Sequence, residues 1–210
     1  MDGGPSAEAG SQVSLLPFSF AVDTAVRLGA VTVSNSYEVA DTGDGPSFDH
    51  PGVLVTASAG DQGFGTALAP AVYPGVLAVG GTTLTPSSSS RGWAESAWQH
   101  GGSACSTLVP KPSWQSNLGC SMRTVADVSA VANPSTGLAV FCTDSSGGGW
   151  QVNGGTSAAS PMVAGALTIL HVNANPQYVW GHPENFFRHH RWIEWIYVLP
   201  RLSLQRGPWI

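Results

Sequence analysis

The chain has 210 residues, a formal charge of −5 and only 10% charged residues, where an average soluble domain carries roughly 25%. At this length one domain with a sizeable core is expected. The eight Lys or Arg side chains argue against a nucleic-acid partner, which calls for a basic face, and no apolar run approaches the ~18 residues of a membrane span.

Residues 1–12 are small and polar, with no basic segment leading into an apolar core, so no signal peptide is visible. Residues 1–17 are read as a frayed segment. Over 18–28 the spacing predicts a helix, with Phe20, Ala21, Ala25 and Leu28 sharing a face, closed by Gly29. Residues 30–36 and 53–57 then read as buried strands separated by a loop over 41–51. A turn over 70–75 leads to a short strand over 76–79. Helices alternating with short apolar strands predict an α/β fold around a mostly parallel sheet. From 86 to 119 the sequence becomes Ser-rich and irregular, and Trp93, Trp98 and Trp114 are expected to anchor a long surface loop. Residues 137–141 and 150–152 read as a hairpin leading into the next stretch.

That stretch, Gly154-Gly155-Thr156-Ser157-Ala158-Ala159-Ser160-Pro161, precedes the apolar run from Met162 to Leu170. It reads as a Gly-rich turn opening a helix that is apolar nearly all round and therefore buried. Pro161 falls near the first turn, where a missing amide costs least. Ser157 would then sit at a helix N-terminus, where unpaired amides favour the negative charge that an attacked carbonyl develops. The other reading is that Thr156 or Ser157 is simply the helix cap. Flanking glycines and small residues favour close approach by another backbone, such as a substrate strand.

This stretch resembles the nucleophile segment shared by subtilisins and sedolisins, the serine-carboxyl peptidases. No His-Gly-Thr-His type motif is present, and Asp41-Thr42-Gly43, which resembles the subtilisin aspartate motif, stands in a loop-like run and is read as a decoy. The sedolisin pattern is matched by Val53-Leu54-Val55-Thr56-Ala57-Ser58-Ala59-Gly60-Asp61-Gln62-Gly63, by the run from Val76 to Leu84, by Val125-Ala126-Asp127-Val128-Ser129-Ala130, and by Gly154 to Gly165. Four motifs in the family's order are a specific match. The resemblance implies a subtilisin-like three-layer α/β fold, here truncated, with a peptidase core over 18–183. It further implies a secreted, serine-type endopeptidase acting on polypeptides through an acyl-enzyme.

Carried over residue by residue, Ser157 would be the nucleophile, Asp61 a protonated donor to the oxyanion, and Gly155 and Thr156 substrate-binding. Asp61 also reads, from local sequence, as a turn aspartate accepting amides before Gly63, while Asp127 resembles a structural aspartate. The resemblance also implies a disulfide between Cys105 and Cys120, leaving Cys142 free. In sedolisins the base and its partner are a glutamate and an aspartate four residues apart on one helix. Glu8, Glu38, Glu95, Glu184 and Glu194 are followed at that spacing by Gln12, Thr42, Gln99, Arg188 and Val198. The helix that would carry the pair is expected upstream of Phe18, so the chain is expected to begin after it. No histidine is ordered toward Ser157, since His171, fourteen residues along the same helix, would be roughly 21 Å away.

From Glu184 the character changes: Arg188-His189-His190-Arg191 is basic, and the residues that follow are aromatic. Residues 184–210 are therefore read as a tail foreign to the family. Sedolisins close with a calcium site of aspartates and carbonyls in a Gly-rich stretch, whereas no aspartate follows Asp144 here. No metal and no other cofactor is expected. The sequence-level reading is thus a sedolisin-like core that keeps Ser157 and Asp61 without a base pair, and so is inactive. The alternative is a non-catalytic truncated product or a peptide-binding remnant.

Overall fold

The computed structural model describes residues 15–41, 45, 48–115, 119–143, 148–170, 175–189 and 196–198. Helix α1, Leu16–Arg27, begins with Pro17 in its first turn, where no intrahelical amide is lost. It leads through Gly29 into β1 (Thr32–Asn35), β2 (Val39–Ala40) and β3 (Leu54–Ser58). Next come β4 (Leu68–Ala69), β5 (Val76–Pro86), β6 (Trp93–Ala97), β7 (Ala104–Pro110), β8 (Met122–Val125) and β9 (Val128–Val131). A hairpin, β10 (Leu138–Cys142) and β11 (Gly149–Asn153), delivers the chain to α2, Thr156–Ile169. Helix α3, Pro176–Gly181, and strands β12 (Phe187–His189) and β13 (Ile196–Val198) follow.

The central sheet runs β1-β3-β5-β9-β13-β12, and β1, β3, β5 and β9 are parallel. The central strands β3, β9 and the first half of β5 are buried at every position because both faces are covered, and side chains alternate between two cores. Val55, Ala57, Val76 and Ala78 pack on the face that holds Val22 of α1. Leu54, Leu77, Val79, Val128 and Ala130 pack on the opposite face against Ala159, Val163 and Leu167 of α2 and Val179 of α3. The layers are therefore helix, sheet, helix. β13 joins the edge through the single parallel pair Val198↔Ser129, and β12 pairs antiparallel with β13.

Several elements differ from the sequence-based reading. Helix α1 turns Ser19 and Val22 inward and leaves Phe20 and Leu28 at 64% and 84% exposure. Phe18, stacked on Tyr37 with centroids 4.1 Å apart, fixes this phase. β5 does not stop at Val79. Gly80 and Gly81 continue the strand because a Cβ there would meet Ser129 Oγ at 2.6 Å and Trp98 Cε3 at 2.8 Å. The stretch expected to be a surface loop holds β6, antiparallel to the outer half of β5, and β7, antiparallel to β8. Trp114 there lies against the buried Arg123 guanidinium at 5.2 Å, not on an isolated loop. Helix α2 buries one side only: Ile169 is 76% exposed, since the sheet covers a single face. The 1–12 segment, Thr42 and Gly43, His171 and most of the 184–210 stretch lie outside the described residues.

Candidate active site

The parallel strands β1 and β3 end side by side, and the N-terminus of α2 lies across their carboxyl ends, where open α/β sheets form their sites. After β3 the chain turns at Gly60, with φ of 101°, and presents Asp61. Asp61 Oδ1 accepts the Thr156 amide at 2.7 Å and the Thr156 hydroxyl at 2.9 Å. The same hydroxyl accepts the Gly60 amide at 3.2 Å, so the turn and the helix are tied reciprocally.

Asp61 is not the turn aspartate of the local reading: the Gly63 amide goes to the His100 carbonyl, and Asp61 accepts instead from the first residue of α2. Oδ1 caps the helix, while Oδ2 has no hydrogen bond among the described residues. A Cβ built on Gly155 would lie 2.8 Å from that Oδ2 and 3.7 Å from the Ser157 amide nitrogen. Gly155 itself has φ of 90°, a conformation that L side chains rarely adopt. A side chain at this position would press on Asp61 Oδ2.

Ser157 is exposed in the first turn of α2. Pro161 lies inside the helix four residues further on and has no amide to give to the Ser157 carbonyl. Ser36, just past β1, supplies the missing donor through its hydroxyl at 3.1 Å. Deeper in the same seam, Ser160 Oγ bridges Ser34 Oγ at 3.0 Å and Thr56 Oγ1 at 2.9 Å, stitching α2 to β1 and β3. Ser157 Oγ has no hydrogen-bond partner among the described residues. Ser34 and Ser36 carry no motif of their own, and the sequence-level reading passed over them as ordinary strand residues; Ser160 was quoted in the motif but given no role.

Sequence reasoning weighed Glu38 only as a base with a partner four residues on, and Gln62 only as part of the motif around Asp61. Gln62 Oε1 accepts the Asp61 amide at 3.0 Å, and its Nε2 donates to Glu38 Oε1 at 2.7 Å. The only available signal was their placement directly after a buried strand or beside Asp61.

The other candidates lie elsewhere. Asp127 is fully buried and receives both terminal nitrogens of Arg123 at 2.6 Å, together with Trp180 Nε1 and the Ala78 amide at 2.8 Å. Asp41 accepts the Ser106 hydroxyl and the Thr107 amide. The Cys105 and Cys120 sulfurs are bonded, with Cα atoms 6.2 Å apart, and Cys142 is free. His50 faces Asp23 at 3.2 Å at the amino-terminal end of the strands. A cavity of about 450 Å³ opens there, lined by Asp49, His50, Trp114 and Gln177. Its lining holds no serine or cysteine.

Among the described residues no three His, Cys, Asp or Glu side chains could share a metal. Beyond Asp127 the described carboxylate is Glu184, exposed and 3.1 Å from His182 Nδ1. A hard cation needs six or so oxygen ligands, and these residues do not fit a calcium shell. No described helix is long and apolar enough to cross a membrane.

A sequence model of the subtilase family matches residues 18–189. The chain belongs to the subtilase family. Within it this subtilase is sedolisin-like: it is 38% identical over 142 residues to kumamolisin of Bacillus sp. strain MN-32, a match covering 57% of this chain and 25% of kumamolisin. It is 36% identical over 113 residues to sedolisin of Pseudomonas sp. strain 101, covering 48% of this chain and 19% of sedolisin. The subtilase thus matches about a quarter or less of each of these relatives. Its fold matches the solved structure of Pseudomonas sedolisin, a serine-carboxyl proteinase complexed with two molecules of pseudo-iodotyrostatin. That match has a TM-score of 0.62 at 24% identity and covers 82% of this chain and 58% of the other.

Proposed function

We propose that this subtilase carries the nucleophile and oxyanion half of a peptide-hydrolysing site. Ser157 is the nucleophile, Asp61 Oδ2 in its protonated form donates to the developing oxyanion, and Gly155 and Thr156 line the substrate path. The supporting observation is the Asp61 carboxylate held across the N-terminus of α2, with Oδ1 on Thr156 and Oδ2 left without a hydrogen bond among the described residues. The substrates would be polypeptides, cleaved internally through an acyl-enzyme. The Cys105–Cys120 bond suits an extracellular, oxidising location. The scheme calls on no metal or other cofactor.

A serine hydroxyl is a poor nucleophile until a neighbouring base takes its proton. The bare Ser157 Oγ supports a second proposal, that the 210-residue chain alone hydrolyses peptides at a residual rate and behaves chiefly as a peptide-binding protein. In sites of this logic, loss of the base leaves only ~10³–10⁴-fold acceleration over water. The test is to incubate the chain and its Ser157→Ala variant with a mixed peptide library from acidic to neutral pH, alongside an active-serine probe. No cleavage above the variant and little labelling are expected. Robust cleavage lost in Ser157→Ala would overturn the inactivity and reveal another base; robust cleavage retained in it would overturn the assignment of Ser157.

A further inference from the structure

The hydrogen-bond chain beside Asp61 places a second carboxylate in the site that the chemistry above does not use. Glu38 directly precedes β2, which is held by β4 through the pairs Val39↔Ala69 and Ala40↔Leu68. Its Oε1 receives Gln62 Nε2 at 2.7 Å, and Gln62 in turn receives the Asp61 amide, so the carboxylate is fixed two hydrogen bonds from the oxyanion residue. Its Oε2 rests on Gly60. A Cβ built there would meet Gln62 Oε1 at 2.7 Å and Glu38 Oε2 and Leu68 Cδ1 at 3.0 Å. Residues 36 to 38 also run past the nucleophile itself, since Ser36 holds the Ser157 carbonyl.

Glu38 is exposed and forms no ion pair among the described residues. The buried Arg123 is held by Asp127, and Arg91 is held by Glu95. An apolar side chain laid over Glu38 would strip water from the carboxylate and return nothing, and an acidic one would be repelled by it. A cationic side chain answers the Glu38 charge.

We propose that Glu38 is a specificity-determining residue that selects Lys or Arg on the substrate residue whose carbonyl carbon faces Ser157. That carbonyl lies between Asp61 Oδ2 and Ser157, so the side chain one bond away passes over the Gly60 wall toward Glu38. Gln62 is the positioning residue that holds the carboxylate there. The inference rests on the assignment of Ser157 and Asp61 above.

The test uses acetylated tripeptide aldehydes ending in arginine, norleucine or glutamate, because the aldehyde carbon takes the place of the attacked carbonyl and fixes the register. Affinities are measured by calorimetry for the chain and for its Glu38→Gln, Glu38→Asp and Ser157→Ala variants. The arginine compound should bind roughly fivefold more tightly than the norleucine compound, and the glutamate compound most weakly. Glu38→Gln should bring arginine down to the norleucine affinity, and Glu38→Asp should keep part of the preference. Binding that depends on Ser157 but does not discriminate arginine from norleucine overturns the role of Glu38 and leaves the site assignment standing. Absence of any Ser157-dependent binding overturns both.

Discussion

The buried pair Arg123–Asp127 gives the sharpest test of what holds this fold together. Both side chains are at 0% exposure, and the pair is bidentate. Replacing Asp127 with leucine removes four accepted hydrogen bonds: two from Arg123, one from Trp180 Nε1 and one from the Ala78 amide in β5. The guanidinium cannot shed its proton, and its Nε already lacks a partner. Its remaining contacts are the Thr124 and Val76 carbonyls and the Trp114 ring. Breaking a buried pair from one side costs about 3–5 kcal/mol, and the stranded Ala78 amide adds about 1–3 kcal/mol. The total is a large share of the roughly 5–15 kcal/mol that keeps a domain folded. At this chain length it corresponds to a fall in Tm on the order of 10 °C or more. Urea unfolding followed by tryptophan fluorescence measures the loss directly. The double variant Arg123→Met with Asp127→Leu should recover part of it, because no charge is left buried without a counterion. A single variant that loses less than about 1 kcal/mol, or a double variant as unstable as the single, would refute the reasoning.

Two further outcomes follow from the same geometry. Gly155→Ala combines a φ of 90° with a Cβ 2.8 Å from Asp61 Oδ2, so it should destabilise by roughly 1–3 kcal/mol, and thermal unfolding equal to wild type would contradict it. Burial pushes the Tyr37 phenol up to about 12, so the neutral form is favoured in the folded state. Its stabilising contribution is complete below the ordinary tyrosine pKa of about 10 and is lost as pH climbs through the folded value. In a near-ultraviolet titration one of the four tyrosines should ionise late, and Tyr37→Phe should remove that step; an unchanged curve would count against it.

The parallel sheet was legible because Leu54–Ser58 and the start of β5 are short runs of apolar and small residues, and every one of them is buried, as in strands covered on both faces. The turn before α2 was legible because Gly155 has a positive φ that glycine adopts most readily, whereas Pro161 lies inside α2, beyond the first turn expected for it, and leaves the Ser157 carbonyl to Ser36. What stayed hidden depended on partners distant in sequence. Gly80 and Gly81 look like a strand terminator until Trp98 and β9 are seen pressing on them. The phase of α1 follows from the Phe18–Tyr37 stack, which no helical periodicity within α1 encodes. Ser36, Glu38 and Gln62 acquire a role only once the ends of β1 and β3 stand beside α2. For the same reason the Gly-Thr-Ser motif was readable in one dimension while the residues packed around it were not.

The hairpin β10–β11 is clamped at its root. A Cβ on Gly137 would strike the Asn153 carbonyl, one on Gly154 would strike the Ala132 carbonyl, and the Gly155 amide is anchored on Ala132 O at 2.6 Å. Beyond that root, Phe141 and Trp150 meet edge to face and stand 55% and 74% exposed. The arm and the serine therefore belong to different mechanical compartments, joined through a fastening that tolerates only glycine-sized residues. A side chain added at the root would press on the backbone that leads into α2. For protein engineering this marks the outer arm as a place to append a tag or a binding loop, and Trp150 as an optical reporter of what docks there. The three glycines at its base are the positions a library should leave untouched.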